Sequence, residues 1–348
     1  MSKKIVRKNY HQLLHVCFVL GGTMNNVTKG FAITMLAIAS ISSTTTAQTF
    51  PSKGIKIIVA FPAGGATDMV ARTVGMNLAE NLKQSVVIEN RPGGSGHIGM
   101  TALARAPADG YTLGVATVSN LAINPAISKN APYDARKDFA PIALMTEVHI
   151  VLCVPGTLPV DSLAGLIEWA KQNPTKMNFA SNGPGSSGHI IGEVLKRKFG
   201  FEMAHVPSGG DAPILNALMG GHIQLGILAA PPAAEFVKAG TVKAIAIAST
   251  RRSPVLPGVP TLAELGITEI SAETWFGLAA PSMTPPDIVE QLHREINKVL
   301  AAPETKRIFY NGGLEPAQLS LNEFRGYVRR EQDKWQGLVS ALGISVDP

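Results

Sequence analysis

Short apolar runs recur along most of this chain, each followed by a stretch with helical spacing, and that alternation constrains the fold more than any other feature. Residues 55–61, 85–89, 111–119, 149–154, 177–181, 202–207, 223–228, 242–249 and 275–280 have the length and apolar content of strands. Residues 69–82, 189–199, 213–219 and 286–300 place apolar side chains at helical intervals. Strands that alternate with helices predict parallel βαβ units and an α/β fold on an open sheet. The run 150–154 is apolar at every position, the pattern of a strand buried on both faces.

With 348 residues, 45% of them hydrophobic and 16% charged, the chain is too apolar for disorder and long enough for two domains. It carries no internal repeat and no long linker. The formal charge of +6 suggests a nucleic-acid partner until the charges are located. Lys3, Lys4, Arg7, Lys8 and Lys29 all precede residue 48, where no acidic residue stands, so the remainder holds 26 basic against 25 acidic residues. No nucleic-acid partner is expected, because that reading needs Lys and Arg clustered on the folded surface.

Residues 1–47 read as a signal peptide, with Met24 as an alternative start. An apolar core at 31–41 follows Lys29 and ends in a Ser/Thr tract, and Thr45-Thr46-Ala47 supplies small residues for cleavage before Gln48. A membrane anchor needs roughly 20 continuous apolar residues, more than this core provides. Export would leave Cys153 as the single cysteine, inside an apolar strand, where it is expected to act as a small hydrophobe.

In open α/β sheets, ligands bind beyond the carboxyl ends of the strands. Two loops at such ends share the same physics. Phe61-Pro62-Ala63-Gly64-Gly65-Ala66-Thr67-Asp68 follows the first strand and opens a helix, and Ser181-Asn182-Gly183-Pro184-Gly185-Ser186-Ser187-Gly188 opens the helix that contains His189. Glycine-rich turns at helix N-termini expose backbone N–H groups and form anion sites. Such turns are also ordinary capped connections; two of them in different halves of the chain favour a cleft. Neither carries Lys or Arg, so an anion would be held by neutral donors.

Enzyme motifs fit less well. Gly94-Ser95-Gly96-His97-Ile98-Gly99 matches a dinucleotide fingerprint, but Ser119 and Asn120 stand where a ribose-binding carboxylate is required. No G-x-S-x-G elbow is present. His189 and Glu193 lie one helical turn apart, yet a zinc site needs a third protein ligand. No metal or cofactor is expected.

Several ordered motifs carry a resemblance. Phe50-Pro51-Ser52-Lys53, Val87-Ile88-Glu89-Asn90-Arg91-Pro92-Gly93-Gly94, Ala108-Asp109-Gly110-Tyr111-Thr112-Leu113, Lys137-Asp138-Phe139-Ala140-Pro141, His205-Val206-Pro207 and Trp275-Phe276-Gly277-Leu278 resemble the tripartite tricarboxylate transporter substrate-binding proteins, the Bug family. The resemblance implies an α/β, two-lobed, type II-like periplasmic binding protein with a ligand cleft between lobes. Lobe 1 would hold 48–149 plus 273–348, and lobe 2 would hold 150–272. It further implies a monomer that captures a small carboxylate and delivers it to membrane permease subunits, or that reports the ligand to a signalling partner. The ligand-contacting positions carried over are Phe61, Ala63, Gly64, Gly65, Thr67, Asp68, Ser181, Asn182, Gly183, Ser186 and His189, with Ser119 and Asn120 expected at the same cleft. Two positions depart from the family pattern. Ser208-Gly209-Gly210 replaces a common Tyr-Lys-Gly, and Leu228 stands where many members carry Asp, which favours a ligand with an apolar or aromatic body.

Overall fold

The structure, a computed structural model, describes residues 50–343 except 129, 269, 271 and 272. The expected signal peptide lies outside the described residues. In chain order the elements are β1 (Ile55–Val59), α1 (Ala66–Leu82), β2 (Val86–Asn90), a 3-10 turn (Gly94–Gly96), α2 (His97–Ala104), β3 (Thr112–Thr117), a π-helical turn (Ser119–Ile123), α3 (Asn124–Ile127), β4 (Phe139–Val148) and β5 (Ile150–Pro155). They continue with α4 (Leu163–Gln172), β6 (Asn178–Ser181), α5 (Ser187–Phe199), β7 (Ala204–Pro207), α6 (Asp211–Met219), β8 (Leu225–Ala229), α7 (Ala230–Lys238) and β9 (Val242–Ile247). The last are β10 (Thr274–Pro281), α8 (Pro286–Ala301), α9 (Pro303–Asn311), β11 (Glu315–Pro316) and α10 (Leu321–Leu342).

The strands form two sheets, one ordered β11-β4-β10-β3-β1-β2 and the other β7-β6-β8-β5-β9. The βαβ units are parallel as expected: β1 pairs with β2 and β3, and β6 with β7 and β8. The sheets as wholes are mixed. Strand β10 runs antiparallel to β3 and β4, and β5 runs antiparallel to β8 and β9. Only His149 separates β4 of the first sheet from β5 of the second.

Packing explains why these segments stay put. Val70, Val74 and Leu78 of α1 and Val289, Leu292 and Ile296 of α8 join Ile57, Val59, Leu113 and Leu278 in one buried cluster. Each such side chain stabilises the fold by about 1.5–3 kcal/mol relative to exposure. On β5 the two faces divide as the apolar run predicted: Leu152 and Val154 enter a cluster with Phe179 and Ile190, whereas Val151 and Cys153 pack with Ile214 and Leu218. Burial pushes the Cys153 thiol up to about 12, so it is not a nucleophile near neutral pH.

Candidate functional site

The first glycine-rich loop is held open by side chains behind it. Gly64 adopts φ +84, a left-handed conformation that side chains disfavour. Its N–H donates to Asp68 Oδ2 at 2.9 Å, and Asp68 also accepts from Arg72 Nε at 2.9 Å and from Asn90 Nδ2 at 2.9 Å. Asn90 donates in addition to the Phe61 carbonyl at 3.1 Å, which ties the end of β2 to the loop after β1. Burial pushes the Asp68 carboxyl up, but the bonds from Arg72, Gly64 and Asn90 outweigh it and hold the group below its ordinary value. Helix α1 has Gly65 at its N-cap and no side-chain cap, and the first intrahelical bond comes from Met69 N to Gly65 O. The N–H groups of Ala66, Thr67 and Asp68 therefore lack an intrahelical acceptor.

The second loop is built differently. Ser186 is the N-cap of α5 and accepts from His189 N at 3.2 Å, while its hydroxyl donates to the Gly183 carbonyl at 2.8 Å. Ser181 Oγ lies 2.7 Å from His205 Nε2 and accepts from Gly183 N at 3.2 Å. His205 stacks on both Phe179 and His189, at centroid distances of 4.8 and 4.3 Å. Burial lowers both histidines, His205 to about 4 with a further push from His189. Both are neutral at pH 7, and His189 Nδ1 accepts the Gly185 N–H at 3.3 Å. Asn182 reaches across to α6, where its Nδ2 donates to Asp211 Oδ1 at 3.1 Å.

Both loops open onto one cavity of about 1090 Å³ between the sheets. Of the expected residues, Phe61, Ala63, Gly64, Gly65, Thr67, Ser119, Asn182 and Ser186 line it. Asp68, Asn120, Ser181, Gly183 and His189 do not; they stand one layer behind the wall. Asn120 is fully buried and spends its Oδ1 on Thr117 N at 2.7 Å, so it caps a strand end rather than facing the cavity. The lining also includes residues not singled out as contacts: Ser95, Thr117, Ser187, Asp211, Thr274 and Tyr310. Asp211 had a visible signal, since Ser208-Gly209-Gly210-Asp211 is a third glycine-rich strand-to-helix turn. Leu228 lines the cavity beside Pro231, Val255, Phe276 and Leu314, whereas Ser208 does not line it.

The dinucleotide-like glycines have a packing explanation. A Cβ on Gly99 would lie 2.8 Å from Ala60 Cα, so the glycine lets α2 approach the end of β1. No group of three His, Cys, Asp or Glu able to hold a metal exists among the described residues.

The chain matches the family described as the tripartite tricarboxylate transporter family receptor over residues 70–344. It belongs to that receptor family. It is 35% identical to Protein BugT of Bordetella pertussis over 324 residues, which cover 92% of this chain and 99% of that protein. The periplasmic binding protein BugD shares 30% identity with a TM-score of 0.78, over 85% of this chain and 99% of that one. A structure of R. palustris Rpa4515 with adipate shares 33% identity with a TM-score of 0.79, over 85% of this chain and 99% of that one. The family is one of binding proteins, and this receptor has a solute-binding role and the α/β fold of its periplasmic relatives.

Proposed function

We propose that this receptor captures a small carboxylate between a lobe formed by 48–149 plus 273–348 and a lobe formed by 150–272, and performs no chemistry on it. The observation that carries the reading is the pair of helix N-termini, those of α1 and α5, opening onto one cavity. The free N–H groups of Ala66, Thr67 and Asp68 supply neutral donors and a positive dipole end for an anion. Phe61, Gly64, Gly65, Thr67, Ser119, Asn182 and Ser186 would touch the ligand. Asp68, Ser181, Gly183, Asn120 and His189 would fix the shape of the wall. Leu228, Pro231, Val255 and Phe276 suit an acid with an apolar body.

Closure of the lobes would bury the acid, driven by the ligand's higher affinity for the closed form. The closed receptor, a monomer exported to the periplasm after removal of residues 1–47, would then be recognised by membrane permease subunits of its transporter. Native mass spectrometry of protein secreted from the full gene tests this in one measurement. The expected result is a chain starting near Gln48 with a co-purified organic acid, and carboxylates that stabilise it. A ligand at 100 times its Kd stabilises by about 2.7 kcal/mol, a clear thermal shift. Absence of any shift across mono-, di-, tricarboxylic and aromatic acids, or turnover of one of them, overturns the reading.

A further inference from the structure

Among the described residues, the cavity lining carries three charged side chains: Asp211, Glu235 and Lys238. Lys238 and Glu235 are exposed and pair with each other at 3.1 Å. Asp211 has no cationic partner among the described residues. Its Oδ1 accepts from Asn182 Nδ2 at 3.1 Å and from the Ala229 N–H at 3.3 Å, and its Oδ2 has no partner among the described residues. The carboxylate thus joins three pieces of the wall: the loop before α5, the start of α6, and the end of β8.

Resting on the carboxylate-capture reading above, we infer that the cleft selects a carboxylate that also bears a cationic nitrogen, with Asp211 as the residue that recognises the nitrogen. A second plain anion beside Asp211 would meet a fixed negative charge in a cavity without a free cation, a repulsive arrangement. An ammonium group at Oδ2 removes that repulsion and adds a charge-assisted hydrogen bond, while the acid end of the same ligand takes the N–H groups of α1. Burial pushes the Asp211 carboxyl up, with the Ala229 and Asn182 bonds opposing.

The test uses matched pairs that differ only in the amino group: glutamate and glutarate, phenylalanine and 3-phenylpropionate, leucine and 4-methylvalerate. Binding is measured by calorimetry at pH 7.5 and pH 5 on the intact secreted protein. The expected result is at least one amino member bound 10-fold or more tightly than its partner, with that preference shrinking at the lower pH. Asp211→Asn keeps an oxygen for Asn182 and Ala229, and is expected to erase the preference. If plain acids bind as well as their amino partners at pH 7.5, the role of Asp211 is overturned while carboxylate capture stands. If the preference is present but unchanged in Asp211→Asn, Asp211 does not recognise the nitrogen. If no carboxylate of either kind binds, both this inference and the reading beneath it fall. The comparison within the unmodified protein decides the outcome even if Asp211→Asn does not fold.

Discussion

His205 shows how a side chain that never faces the cavity governs it. Its ring braces Ser181 while stacked on Phe179 and His189. Its ordinary value of 6.5 applies in the unfolded chain, and the fold lowers it to about 4. The native state therefore favours the neutral ring, so this stabilisation is fully present above 6.5 and is lost as pH falls from about 6.5 through about 4. The melting temperature should fall between pH 7.5 and pH 4.5, and His205→Gln, which retains a bond to Ser181, should flatten that slope. An equally steep slope in the variant would assign the acid sensitivity elsewhere. Much of the wall was legible one residue at a time, since Phe61, Gly64, Gly65 and Thr67 stand within one short loop at a strand end. The braces were not. Asn90 and His205 act through tertiary hydrogen bonds to distant segments, and no local spacing reports those.

The two helix openings differ, and the difference is testable. Helix α5 already satisfies one N–H with Ser186, whereas α1 leaves its first amides to whatever occupies the cavity. Gly65 has extended backbone at φ −83, and a Cβ there would meet nothing closer than 3.8 Å. Gly65→Ser should accordingly fit, cap α1 and add a few tenths of a kcal/mol of stability. It should also compete for the N–H groups that hold the acid and weaken carboxylate binding about 10-fold, roughly one hydrogen bond to a charged group. Thermal unfolding with and without ligand separates these effects; unchanged affinity would remove α1 from the binding site. At this scale the sequence indicates nine of the strands and places α1 and α5 three and two residues late, because Ala66, Thr67 and Asp68, and Ser187 and Gly188, lack apolar periodicity. Strand β4 escapes it because Pro141 interrupts the run; that residue pairs with Ala279 beside a register shift, where a proline is tolerated. Two-residue β11 has no pattern to detect.

For the whole molecule, the alternation of strands and helices conveyed the class but not the antiparallel placement of β5 and β10, which depends on where the chain passes between sheets. At the passage, Val148 pairs with Thr274 in one sheet and Ile150 pairs with Ala229 in the other. Ser187 Oγ lies 2.8 Å from Thr274 Oγ1, and Arg251 lies 3.4 Å from Glu147, so polar contacts also span the two sheets. Inserting two glycines after His149 should leave far-UV circular dichroism unchanged yet weaken ligand binding 10-fold or more. Unaltered binding would mean that the brevity of the passage is incidental. A splice of one residue confines any twist between the sheets to the dihedrals at His149. Under the proposed closure, turning one sheet would turn the strand entering the other, and the mouth of the cavity would move as the far end of a lever whose fulcrum is the backbone at His149.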